Sequence, residues 1–429
     1  MPQDIQVTQH TRRAGSWVTA TLSGVDGLPL NISSDAFQRL AVSSPETILE
    51  AKQVNADSPM LMASQGLSGG TVTWQAEHAS VALEVPATDG ASAIRQTRQR
   101  ANYQPGKSLL SLISFCQTQC GVTGATFRVG LFDEQNGYFY MRRDGVSYIV
   151  RRAGGADLEI PQSEWNTDTM DGSAASVSAS DATLQGINKS RRNPSTLEFD
   201  PGKSQIVFGR QEWLGVGDLA VGFVINGRFV TAHIFHHANI SSSVYFAQPN
   251  NPIRWELTSQ GSACSARGIC GTVLSEGGQN DIGVYTGVST PSPVAVDTIL
   301  RPVISVRLKP GSKQLVTPIL ADIVSIGNQN VEYVVIYRAS LPGTPVWTNV
   351  NGSSCLQADI SASGAITYPD PAHPLIKGWV LGKGTATTAA QNWYLGAGVD
   401  GTPDVLTLAA RTISASDSLL VSAQFLERM

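Results

Sequence analysis

The chain has 429 residues, 41% of them hydrophobic, and a formal net charge of -4 from 30 basic and 34 acidic side chains. That length exceeds what one hydrophobic core organises, so two or three domains are expected. The acidic balance argues against a protein that binds nucleic acid by neutralising phosphates.

Charged residues make up only 15%, against about 25% in ordinary soluble domains. With 41 glycines and 22 prolines, this composition points to an all-β chain whose surfaces are partly covered by partners. The mean hydropathy is -0.04, and no run of 18 apolar residues predicts a membrane span. The opening MPQDIQVTQHTRR lacks the apolar stretch of a secretory signal. Five cysteines, an odd number, do not make a disulfide framework. Cys116, Cys120, Cys264 and Cys270 are expected as free, partly buried thiols of a protein made in the cytosol.

In chain order, strands are expected at Trp17 to Leu22, Glu46 to Lys52 and Val81 to Val85, with Val72 and Trp74 alternating against small or polar neighbours. Pro86 to Ala91 reads as a linker, which makes residues 1–90 a β-rich docking region. An apolar strand follows from Ser108 to Phe115. Phe127 to Phe132, Gly137 to Met141 and Val146 to Arg151 come next, with Asn136-Gly137 and Asp144-Gly145 as hairpin turns. Successive hairpins imply an antiparallel meander. Residues 153–200 are rich in Ser, Ala, Asp and Asn and read as long loops anchored by Trp165.

The densest stretch is Ser204 to Asn239. It predicts strands at Gln205 to Phe208, Leu219 to Ile225 and Arg228 to Phe235, an exposed QEWLGVGD turn, and a tight Asn226-Gly227 hairpin. Val244 to Ala247, Ile253 to Leu257 and Arg267 to Ser275 complete a central sandwich over 91–285. The C-terminal sandwich, 286–429, is expected to use Val303 to Leu308, Leu315 to Ile326, Val331 to Tyr337, Val346 to Val350, Gly378 to Leu381, Val405 to Ala409 and Ser418 to Phe425. No segment has convincing helical periodicity. The expected fold is therefore all-β, with jelly-roll-like antiparallel sandwiches and little helix.

The tetrapeptide PGKS occurs at 105–108 and at 201–204. Each copy opens an apolar strand, so the echo could mark equivalent turns of a duplicated sandwich or arise by chance. A phosphate-binding loop would need a glycine at positions held here by Ala101 and Leu197, followed by a helix. No nucleophile elbow, HExxH or recognisable carboxylate pair is present, so neither catalytic nor cofactor-binding residues are assigned. His233 and His237 are the only metal-ligand candidates, on one strand face, two ligands short of a closed zinc site. With His236 they read better as interface histidines. Arg95, Arg98 and Arg100, and the pairs Arg142-Arg143, Arg151-Arg152 and Arg191-Arg192, are candidates for salt-bridged docking to neighbouring subunits. Trp213 and Leu214, in the exposed turn, are candidates for the same purpose.

Six stretches occur in order over residues 94–278: RQTRQRANYQPGKSLL, RVGLFDEQNGYFY, QSEWNTDTMDG, SQIVFGRQEWLGVGDLAVGFVINGRFVTAHIFHHAN, PIRWEL and GTVLSEGG. As a set they resemble a family of virion structural proteins of tailed phages and some large DNA viruses. The resemblance implies a β-rich particle component, such as a fibre, collar, tail or baseplate protein, made in the host cytoplasm and placed in the virion. The expected partners are further copies of the chain, with a trimer favoured, and other capsid, neck or tail proteins. The competing expectation is a tailspike-like protein that binds or cleaves host-surface glycan. In that case the eight tryptophans would have to gather on one exposed face.

Overall fold

The computed structural model describes residues 21–23, 29–31, 44–117, 123–173, 193–280, 282–367, 373–389 and 393–428. Among these residues the regular structure is strand, apart from two 3₁₀ turns at Ala76–His78 and Gln162–Glu164. Every strand pairing is antiparallel. The protein is an all-β assembly of two sandwiches.

In the first sandwich one sheet runs Ala156–Pro161, Val146–Ala153, Asn136–Arg143, Ala125–Phe132, Ile253–Ser259, Ser92–Thr97, Met62–Leu67. The other runs Arg228–Phe235, Leu219–Ile225, Ser204–Gln211, Leu109–Cys116, Cys264–Ser275, Ser80–Val85, Thr71–Gln75, and Glu46–Lys52 also pairs with Cys264–Ser275. Period-two patterning turns alternate residues inward. Ile113 and Phe115 on one sheet thus meet Phe127, Val129, Tyr140 and Trp255 on the other in a single core.

Four expectations are corrected here. Residues 46–85 are not a separate docking region, because their strands pair into both sheets of this sandwich. Pro86 to Ala91 is not a linker: it carries the chain from one sheet to the other, with Ala91 fully buried and its carbonyl accepting the Ser259 N–H. The two PGKS turns are not equivalent turns of duplicated units, since Leu109–Cys116 and Ser204–Gln211 are antiparallel neighbours in one sheet, Ser204 opposite Cys116 and Gln211 opposite Leu109. Val244 to Ala247 forms no strand, its backbone being drawn to the adjacent loop.

The turns show what local chemistry settles. Asn226 and Gly227 have φ of 53° and 76°, and Asp144 and Gly145 have 51° and 79°, as a two-residue type I′ connection demands. Asn136-Gly137, by contrast, lies on a strand, with Gly137 opposite Phe132. The turn is displaced to Asp133–Gln135 because the buried Asp133 carboxylate accepts the N–H groups of Gln135 and Asn136. Within 153–200, Ala156–Pro161 adds an edge strand and Trp165 is buried, its Nε1 donating to the Ile160 carbonyl. Arg191 and Arg192 lie outside the described residues, as do Trp17 and Cys120.

The second sandwich starts at Val284–Ser289. One sheet runs Val284–Ser289, Asp417–Arg428, Leu315–Ser325, Thr385–Thr388, with Val294–Val296 also on Asp417–Arg428. The other runs Thr348–Asn349, Leu356–Asp359, Arg301–Leu308, Leu406–Thr412, Val331–Tyr337, His373–Val380. Val306, Ile323, Val335, Leu408, Val421 and Phe425 fill the space between them.

The cysteine expectation holds only in part. Cys116, Cys270 and Cys355 are free, whereas the buried Cys264 is disulfide-bonded.

Candidate docking surface

The QEWLGVGD turn is held by its own backbone. The Glu212 N–H donates to the Asp218 carbonyl at 3.1 Å and the Gly217 N–H to the Trp213 carbonyl at 2.9 Å. A Cβ on Gly217 would lie 1.7 Å from the Glu212 carbonyl oxygen, and Gly215 has φ +82°, so both glycines are required by the turn. Trp213 is the anchor. Half-buried against the core, it donates Nε1–H to the Phe246 carbonyl at 3.1 Å and meets Tyr103 edge-on at 5.4 Å.

A second loop lies beside the turn, since the Tyr245 N–H donates to the Gly215 carbonyl at 3.0 Å. The Val244 side chain sits against Gly215, where a Cβ would come within 2.9 Å of it. Between them the two loops expose Leu214 at 64%, Val216 at 41%, Ile240 at 57% and Val244 at 50%. These four exposed aliphatic side chains on two hydrogen-bonded loops, a crown that water solvates poorly, are the kind of surface that marks an interaction site. Its rim carries the exposed Glu212 and an Asp218–His236 pair at 2.9 Å.

The histidines divide. His236 is exposed on the rim, as an interface residue needs to be. His233 is buried, its Nδ1 accepting the Asn166 N–H at 3.2 Å. Burial, reinforced by the charge His236 carries when protonated, lowers its pKa to about 4. His237 is buried on Tyr245 with Nε2 against the Arg151 guanidinium, and burial together with that guanidinium pulls its pKa down. Neither buried ring is presented to a partner: His233 Nδ1 meets the Asn166 N–H and His237 Nε2 the Arg151 guanidinium, so the two do not share one ligand. With its folded pKa below the 6.5 of the unfolded chain, His233 is neutral at pH 7 and binds fewer protons folded than unfolded as pH falls. Its contribution to stability should therefore be lost between pH 6.5 and about 4. Imidazole NMR titration should place its midpoint near 4; a midpoint near 6.5 would contradict the buried geometry.

The arginines expected to dock subunits instead hold this chain together. Arg95 is 1% exposed, donates to Ser64 Oγ at 2.7 Å and Gln53 Oε1 at 2.9 Å, and pairs with Asp57 at 3.0 Å. Arg98 pairs with Asp404 of the second sandwich at 2.8 Å, and both are buried. Arg100 reaches Asp133 at 2.9 Å and the Asn250 carbonyl at 3.1 Å. Arg143 pairs with Glu159 and Arg152 with Asp157. The segment after Ser92–Thr97 runs into the junction of the two sandwiches, which takes Arg98 and most of Arg100 off the outer surface.

Asp133, buried in the turn before Asn136, joins the two sandwiches through Arg100 and Lys313. Burial alone would raise its pKa, but Arg100, Lys313 of the second sandwich and two backbone N–H groups together hold it down at about 2. A depressed carboxylate stabilises the fold above its unfolded pKa of 3.8, and that contribution is lost as pH falls from 3.8 towards 2. Denaturation of Asp133→Asn against the parent should show a stability gap of about 1–3 kcal/mol at pH 7 that narrows below pH 3.8 and closes near pH 2. A gap independent of pH would contradict the ion cluster.

The tryptophans do not form a platform. Trp255 and Trp165 are buried, Trp74 donates Nε1–H to the Gln53 carbonyl, Trp347 lies under Arg307 at 4.2 Å, and Trp393 packs on Tyr337. Of the described tryptophans Trp379 is the exposed one, on the second sandwich.

No protein family matches the chain by its sequence profile, and no curated protein matches it. Solved structures do resemble it in part. A protein of unknown function from Shewanella oneidensis MR-1 is 7% identical, with 56% of this chain and 90% of that one covered at a TM-score of 0.34. A carbohydrate esterase of the Shiga toxin-encoding bacteriophage phi24B is 11% identical, with 54% and 100% covered at 0.30. A carbohydrate-binding module of the evolved Dit protein of Lactobacillus casei BL23 phage J-1 is 8% identical, with 56% and 100% covered at 0.33. Phage proteins and carbohydrate-binding β folds are thus among the structures it is similar to, at a likeness too shallow to argue from.

Proposed function

We propose that this chain is a non-catalytic structural component of a tailed-phage particle, which docks to its neighbours through the crown of Leu214, Val216, Ile240 and Val244. The observation that carries the docking reading is the crown itself: four exposed aliphatic side chains on two loops braced by Trp213, Tyr103 and Tyr245, where solubility alone would favour polar residues. The assignment to a virion rests on the sequence resemblance over residues 94–278. Further copies of the chain, in a trimer, and other capsid, neck or tail proteins are the proposed occupants of the crown. The glycan-binding alternative in its tryptophan-platform form finds no support, because the described tryptophans are scattered through both sandwiches.

Leu214→Glu combined with Val244→Glu should leave the stability of the isolated chain within about 0.5 kcal/mol, as expected of exposed positions, while abolishing oligomerisation or incorporation into particles. Trp213→Ala should instead lower stability by about 1–3 kcal/mol. Light scattering of the purified chain and incorporation into assembling particles read the two effects separately. Normal assembly of the double variant would refute the crown as a docking surface.

A further inference from the structure

We propose that the cavity between the two sandwiches binds a monosaccharide-sized, polyhydroxylated molecule bearing one oxyacid anion, the anion held by Arg100 and Lys313. The cavity has a volume of about 220 Å³ and is walled by the Asp133–Gln135 turn on one side and by the Gly311–Gln314 turn and Leu395–Ala397 on the other. Junctions between domains are common places for small-ligand sites.

The charges on its wall do not balance. Asp133 spends Oδ1 on the N–H groups of Gln135 and Asn136, and its Oδ2 is shared by Arg100 and Lys313. Two cations thus face one carboxylate. The adjoining acids do not make up the difference, because Glu134 and Glu256 are matched by Arg254 and Arg128. In a chain of net charge -4, this excess of positive charge is local to the junction. A carboxylate or phosphate placed there would accept charge-assisted hydrogen bonds from Arg100 and Lys313, and the guanidinium suits the planar geometry of an oxyacid.

The remaining wall sets the rest of the ligand. Gln135, Gln314 and Ser312 offer donors and acceptors, and Glu134 accepts from hydroxyls. No aromatic side chain is among the described residues that line the cavity, which disfavours a stacked base or ring and favours a scaffold recognised through hydroxyl groups. A sugar acid and a sugar phosphate share this chemistry.

The test is calorimetry of the full chain with glucuronate, glucose 6-phosphate, glucose and inorganic phosphate. At least one of the two anionic sugars should bind about tenfold or more tightly than glucose or inorganic phosphate, and which one binds identifies the oxyacid. Lys313→Gln should weaken that binding about tenfold or more, and Lys313→Arg should restore it to within about threefold. Gln314→Ala, which leaves the ion cluster in place, should weaken the anionic sugar without changing inorganic phosphate, and so covers the case of a Lys313→Gln chain that does not fold. Absence of binding by both sugars, glucose binding equally well, inorganic phosphate matching the sugars, or full binding by a folded Lys313→Gln chain would each overturn the proposal. The Leu214→Glu, Val244→Glu chain should bind normally, so the cavity and the crown stand or fall separately.

Discussion

Trp255→Ala should lower the stability of the first sandwich by about 3–5 kcal/mol, the largest effect expected of a single core truncation here. Trp255 has no exposed surface and is among the largest fully buried side chains. Its strand, Ile253–Ser259, lies between Ala125–Phe132 and Ser92–Thr97, and its ring projects towards the opposite sheet over Gly268. A Cβ on Gly268 would sit 3.0 Å from the indole, so the ring occupies space that a side chain there would need. The Nε1–H donates to the Ser114 carbonyl of the other sheet at 3.2 Å. Alanine would leave a cavity and remove the hydrogen bond to the Ser114 carbonyl, and the two costs add. Trp255→Phe should retain most of the packing and lose about 1 kcal/mol for the hydrogen bond beyond its volume change. Urea denaturation followed by circular dichroism measures both. A loss under about 1 kcal/mol for the alanine variant would mean that the indole is not the inter-sheet tie described here.

Asp404→Ala should cost about 3–5 kcal/mol, because it removes one partner of a buried ion pair and leaves the other uncompensated. Arg98 and Asp404 are 306 residues apart in sequence, 2.8 Å apart in space, and both more than nine-tenths buried. The same carboxylate accepts from the Tyr337 hydroxyl at 2.7 Å and faces Arg338 at 3.6 Å. Burial and then the Asp404 charge hold the Tyr337 hydroxyl well above the usual phenol range, so it stays a donor. Without Asp404 two guanidinium groups would face each other across the junction with the Tyr337 donor unsatisfied. Calorimetry should then show the second sandwich melting apart from the first, and limited proteolysis should cut between Gly278 and Val284. A single unchanged transition would show that the pair contributes nothing to the coupling of the sandwiches. Asp404→Asn, which keeps an acceptor but not the charge, should fall between the two.

Much of the strand inventory was legible because alternation and turn chemistry are local. Asn226-Gly227 and Asp144-Gly145 form the turns their φ preferences demand, and Ser204–Gln211, Leu219–Ile225 and Arg228–Phe235 follow from them. Asn136-Gly137 was misread for an equally physical reason, since a buried carboxylate two positions earlier took the backbone donors and moved the turn. Trp213 and Leu214 were legible as parts of an exposed turn, but half of the crown was not. Ile240 and Val244 lie in a segment read in part as strand, and the hydrogen bond from the Tyr245 N–H to Gly215 is what brings that segment to the turn.

The sequence by itself determined that the chain is all-β, that its sheets are antiparallel, and where most strands begin and end. Residues within a few positions of one another decide those features, through side-chain alternation and the φ each turn residue tolerates. Only the tertiary structure decided that residues 46–85 belong to the first sandwich, that Arg95, Arg98 and Arg100 face inward, and that Asp133 gathers Arg100 and Lys313 at a cavity between sandwiches. Each depends on which strands become neighbours across tens to hundreds of residues, and one chain's charge pattern looks the same whether its ion pairs form within the molecule or between molecules.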